Sequence, residues 1–241
     1  MFFTTSDHVP EGVGFGAYSA THLIWLLAGL LLYVAGCVYF RRLSAQKQKR
    51  ALFILGAVIF LLEMAKNAVL LALGEFSWGY LPFHLCGINI LLIAFDMFWQ
   101  TKTVRSFLYY FAIPGAALAL LFPNWTQMPT WNFFCIHSFL IHILLMLYPL
   151  LLIATGQAET DLKAALKSVG LLVAMAIPVY GLNLLWGTNF MFLMEPDSGN
   201  PLELFEKLLG SHLWGFPILL PPVLLVMYIP AAVIKKLRAG K

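Results

Sequence analysis

The sequence predicts an all-α polytopic membrane protein, a helical bundle of seven transmembrane helices with the N-terminus outside and the C-terminus cytoplasmic. Three observations carry this. Residues are 61% hydrophobic and 11% charged, whereas soluble domains carry about 25% charged residues. Mean hydropathy is +0.84. Apolar stretches of the roughly 20 residues that cross a hydrocarbon core recur along the chain, and thirteen of the fifteen basic residues fall on one side of them.

A single integral membrane domain, 1–241, accounts for the whole chain. The N-terminal stretch has no lysine or arginine before Arg41. It therefore lacks the basic region of a cleavable signal, and the first span, about 20–40, is expected to start insertion itself. Arg41, Arg42, Lys47, Lys49 and Arg50 follow it, and span two is expected at 51–74. Glu75 marks the outer turn before span three, 81–99. Lys102 and Arg105 flank the turn into span four, 104–122. Span five, 131–154, is followed by Lys163 and Lys167, then span six, 164–187. The outer loop after it carries Glu195, Asp197, Glu203, Glu206 and Lys207, with a turn cluster at 195–201. Leu202, Phe205, Leu208 and Leu209 recur there at helical spacing, which predicts a short interfacial helix. Span seven, 212–234, ends in Lys235, Lys236, Arg238 and Lys241. Basic loops mark the cytoplasmic side, so the expected location is the cell membrane, multi-pass.

Proline interrupts spans four, six and seven at Pro114, Pro178, Pro217 and Pro221-Pro222. Kinks are the plain reading, and a cavity lined by broken helices is the sharper one. Asn124-Trp125-Thr126 matches a glycosylation sequon, a short and common pattern.

Ionisable residues inside a bilayer are costly and mark candidate sites. At 1.5 Å per residue, Cys86 lies roughly 7 Å below the outer edge, His137 about 9 Å, His142 about 16 Å and Asn183 about 6 Å. His22 is shallow on the same side, and Lys66 and Asn67 lie one turn outward of Glu63. Polar groups from several spans thus share the outer half of the bilayer. Glu63 and Lys66, three apart on one helix face, are expected to pair. Asp96, near the cytoplasmic end of span three, is expected to reach the interface.

A cysteine with a nearby histidine is the minimal set for acyl transfer through a thioester. His84 and Cys86 are two apart, about 200° around a regular helix, so the base for Cys86 is expected on span five, at His137 or His142. A zinc site from His84, Cys86, His137 and His142 has the wrong spacing. The last span has no intramembrane lysine for a retinal Schiff base. No metal and no cofactor is expected, and the basic residues, sitting in short loops, do not point to nucleic acid. Cys37, Cys86 and Cys135 form no disulfide framework.

Leu81-Pro-Phe-His-Leu-Cys86 resembles the "LPxHLC" signature of the YwaF-like integral membrane proteins of bacteria, relatives of the animal transmembrane-protein-164 group. Pro114-Gly115 with Phe122-Pro-Asn124 resembles that family's "PG…P(D/N)" stretch. His22, Glu63, and His142 ahead of Pro149-Leu150 fall where its pattern has them. Asn183 with Gly187-Thr-Asn189-Phe-Met-Phe-Leu193 resembles "N…GTNYMFL", with Phe190 in place of the tyrosine. The animal relatives are similar to lipid acyltransferases that use a cysteine and a histidine. The resemblance implies Cys86 as nucleophile and His142 as base, acting on a membrane phospholipid acyl chain. His84, His137, Asn89, Asn183, Asn189, His22, Glu63 and Lys66 are the expected substrate-binding residues, the asparagines as donors to an oxyanion. Two other readings stay open: a transporter or flippase with a polar pocket, and a non-catalytic assembly partner.

Overall fold

A computed structural model describes residues 1–196 and 201–239, with side chains through residue 233. Asp197 and the rest of the turn cluster through Asn200, Lys241, and the side chains of Lys235, Lys236 and Arg238 lie outside the described residues. The described chain is helical, without strands. Its main helices are α1 (Ala20–Arg41), α2 (Ala45–Leu73), α3 (Leu85–Trp99) and α4 (Lys102–Leu121). Then come α5 (Phe133–Ala154), α6 (Leu162–Trp186), α7 (Pro201–Leu209) and α8 (Gly215–Ala239), the last preceded by a tight turn at His212–Trp214.

Six of these segments, α1, α2, α4, α5, α6 and His212–Val233, are long and apolar enough to cross a membrane. The third expected span differs. Its helix begins at Leu85, not Leu81, and has 15 residues. Pro82 is the physical reason. The residue before a proline is pushed toward extended backbone, Leu81 is extended, and so is His84 at the N-cap position. Helix α2 also starts earlier than expected, so Lys47, Lys49 and Arg50 sit on its first turns.

Helix α5 is the centre of the bundle and packs against α1, α2, α3 and α4. It is mostly apolar and no residue of it is exposed; Cys135, Phe139, Leu145, Tyr148 and Leu152 are essentially inaccessible. Asn132 caps it, accepting the Phe134 and Cys135 N–H groups at 2.8 and 3.3 Å. The same side chain donates to the Met1 and Thr4 carbonyls, which docks the N-terminal arm on the start of α5. Helix α4 holds a π-turn at Leu108–Ala112, immediately before Pro114. A proline ring clashes with the carbonyl four residues back, and a wider turn accommodates it.

At the end opposite the Asn132 cap, a buried network ties four elements together. Arg105 on α4 pairs with Asp96 on α3, and the Tyr148 hydroxyl on α5 donates to Asp96 Oδ2 at 2.9 Å. Arg105 Nη1 reaches Gln157 Oε1 at 2.9 Å, and Gln157 in turn reaches Gln48 on α2. Asp96 is 1% exposed. The expectation that it reaches the interface is corrected: its guanidinium partner sits across the short 100–101 turn and draws it inward.

Candidate functional site

The α2–α3 loop folds back on α3. A Cβ on Gly87 would lie 2.6 Å from Pro82 Cα, closer than carbon atoms approach, so only glycine lets the Leu81-Pro82 backbone pack there. Loop and helix then wall a cavity of about 350 Å³ with α2 and α5. Cys86, His84, Glu63, Lys66, His137 and His142 all line it, with Tyr80 and Asn124. Six of the ten expected residues thus line one cavity.

Cys86 is the second residue of α3 and is half-buried. His84 faces the same cavity, although a regular helix would have separated the two. It lies just outside the helix, so the 100°-per-residue rule does not apply to it. Its Nδ1 accepts the Met191 N–H at 3.3 Å, and its ring meets those of Phe190 and Phe192. Met191 and Phe192 carry φ of 58° and 55°. Left-handed backbone is unfavourable for such side chains, and here it turns the Met191 N–H toward His84.

His142 Nδ1 donates to the Ser138 carbonyl at 2.7 Å. That bond fixes the tautomer and leaves Nε2 with its lone pair. The ring is stacked on Trp125, 5.3 Å between centroids and 9° between planes. Glu63 Oε1 accepts from Lys66 Nζ at 2.6 Å, the expected pair. Its other oxygen, Oε2, lies 3.8 Å from His137 Nε2. His137 is 6% exposed and its Nε2 has no hydrogen-bond partner among the described residues. Tyr80, on the loop outside the spans, has its phenol raised above the usual range by burial, with the Asp7 and Glu75 carboxylates adding to it.

The other four expected residues lie off the cavity wall. His22 is fully engaged: Nδ1 accepts the Tyr18 N–H at 2.9 Å and Nε2 donates to the Leu120 carbonyl at 2.7 Å. Asn183 clasps the loop after α6, accepting from Phe190 N and Thr188 Oγ1 and donating to the Phe190 carbonyl. Asn189 holds the same loop through Met194 and Glu195. Asn89 is 1% exposed with Oδ1 unpartnered among the described residues. Asn183 and Asn189, also expected to serve an oxyanion, each spend one amide N–H on the loop after α6. The two position the loop that meets His84.

Sequence reasoning missed Ser138 and Trp125. Ser138 stands four residues before His142, the spacing at which a histidine meets a carbonyl one turn back. Trp125 is the middle residue of the Asn124–Thr126 sequon pattern. It is 7% exposed and its neighbour Asn124 faces the cavity. The proline-interrupted helices α4, α6 and α8 do not line this cavity.

No curated protein and no solved structure matches the chain. A family model, described as the TMEM164 family, matches residues 17–228. That stretch runs from the start of α1 into α8 and includes every residue of the cavity wall, so this multi-pass helical membrane protein belongs to the TMEM164 family.

Proposed function

We propose that the chain is a lipid acyltransferase or acyl hydrolase that works through a Cys86 thioester. The observation that carries this is that Cys86 and His142 line one cavity, with the His142 tautomer set by Ser138. His142 Nε2 takes the Cys86 thiol proton, and Sγ attacks the ester carbonyl of a membrane lipid. The C–S bond forms, the ester C–O bond breaks, and the departing alkoxide takes the proton from the His142 imidazolium. The oxyanion donors follow from the position of Cys86. The N–H groups of Leu85, Cys86 and Gly87, in the first turn of α3, have no acceptor among the described residues. Helix N-termini stabilise both a thiolate and a developing oxyanion.

The same reading puts the chain in the cell membrane as a YwaF-like bacterial member of the family. Helix α3 is then the seventh span, the N-terminus lies outside and the C-terminus in the cytoplasm. The loop charges support this orientation.

Labelling with a thiol-reactive acyl probe tests the chemistry. Cys86→Ser and His142→Ala should each lower acylation and turnover by roughly 10²–10⁴-fold while leaving expression and helix content intact. Full activity in Cys86→Ala would overturn the thioester and leave a binding pocket, as a transporter would have.

A further inference from the structure

At the end of the bundle opposite the Asn132 cap, the turn from α1 to α2 carries Arg41, Arg42, Lys47, Lys49 and Arg50 within ten residues and no carboxylate. All five residues are exposed, and none enters an ion pair among the described residues. The three carboxylates at that end are already engaged: Asp96 by Arg105, Glu159 by Lys102 at 2.8 Å, and Asp161 by the Ala164 N–H at 2.8 Å. A topology signal needs only the charges. Here the turn that bears them is also braced. Gln48 Nε2 donates to the Phe40 and Leu43 carbonyls at 3.2 and 3.1 Å, which fastens the end of α1 to the start of α2. Gln48 Oε1 accepts from Gln157 Nε2 at 3.2 Å, and Gln157 joins the turn to the buried Arg105–Asp96 pair. Beside the cations the helices turn apolar side chains outward: Val38 and Tyr39 on α1, Phe53 and Ile54 on α2 are all exposed.

We propose that this braced turn is a binding surface for anionic phospholipids of the adjoining leaflet. The headgroup phosphate lies against the arginines and lysines, and the acyl chains run along the apolar faces of α1 and α2. The juxtaposition favours a lipid over a soluble anion or an acidic protein, because only a lipid uses both the cations and the hydrocarbon surface next to them. A fixed frame also lowers the cost of ordering the site when the lipid arrives. Each cation near an anionic membrane surface strengthens binding by roughly fivefold. The inference is independent of the thioester chemistry and of which side of the membrane the turn faces.

The test uses the full-length protein in nanodiscs of equal phosphatidylglycerol and phosphatidylcholine with identical acyl chains. Lipids that stay bound on gentle release are counted by native mass spectrometry. The wild type should retain phosphatidylglycerol in preference. Lys47→Gln, Lys49→Gln and Arg50→Gln combined should weaken that preference roughly 10²-fold, while a C-terminal reporter fusion reads the same side as the wild type and the unfolding temperature is unchanged. Raising sodium chloride from 0.15 to 1 M shortens the screening length from about 8 to about 3 Å and should abolish the preference in the wild type itself. Equal retention of the two lipids by the wild type overturns the proposal, as does a preference untouched by salt or by the triple substitution. Displacement of phosphatidylglycerol by inorganic phosphate, beyond that caused by sodium chloride of the same ionic strength, also overturns it and leaves a soluble-anion site. Displacement by polyglutamate under the same comparison overturns it in favour of an acidic protein partner.

Discussion

Arg105 Nε donates to both carboxylate oxygens of Asp96, at 2.9 and 3.1 Å, with the two side chains 9% and 0% exposed. Breaking a buried pair from one side leaves an uncompensated charge, which costs about 3–5 kcal/mol. Arg105→Met and Asp96→Leu are each expected to fall in that range, measured by unfolding in mixed detergent. The double substitution removes both charges and should recover much of the loss. Two single variants as stable as the wild type would mean that the pair is not held in the interior.

Glu63 and Lys66 are expected to behave in the same way on α2. Glu63→Leu strands the Lys66 ammonium, with its side chain 19% exposed, and should destabilise by several kcal/mol. Glu63→Gln with Lys66→Met should be milder. A double-mutant cycle on thermal stability separates the coupling from the individual losses.

Gly87→Ala places a methyl group 2.6 Å from Pro82 Cα. Overpacking of this kind costs about 1–3 kcal/mol, and the shift it forces falls on the loop that walls the cavity. Labelling of Cys86 should therefore change in Gly87→Ala. Gly115→Ala is the control, because its Cβ would meet only Leu85 Cδ2 at an ordinary 3.9 Å.

Orientation is read with reporter fusions after Ser44 and after the C-terminus. Both should report cytoplasmic, from the placement of thirteen of the fifteen basic residues. A signal from the other side at either position would overturn the proposed topology.

The long helices were legible because hydropathy over about 20 residues is a strong local signal, and α1, α2, α5 and α6 begin and end within a few residues of expectation apart from the early start of α2. The pairing of Glu63 with Lys66 was legible for the same reason, being local to one helix. What escaped depends on the chain leaving helical geometry or on partners distant in sequence. His84 was assigned to a helix that Pro82 prevents. Asp96 and Arg105 stand nine apart with a turn between them, a separation that no helical rule connects. Asn183 looked like a site residue because it is polar and shallow, but its amide is spent on Thr188 and Phe190.

On the proposed thioester reading, the brevity of α3 makes bilayer thickness a control on the chemistry. Fifteen residues rise about 22 Å, short of a hydrocarbon core of about 30 Å. In the proposed orientation, with Trp99 near one face, Cys86 stops below the level of the opposing ester groups. A lipid must sink, or the membrane must pinch locally, before an ester carbonyl meets the thiol. Such deformation costs fractions of a kcal/mol per Å of mismatch. Thin membranes supply part of it in advance, so the proposed turnover is expected to rise as the host lipid shortens, with no change in any residue of the protein.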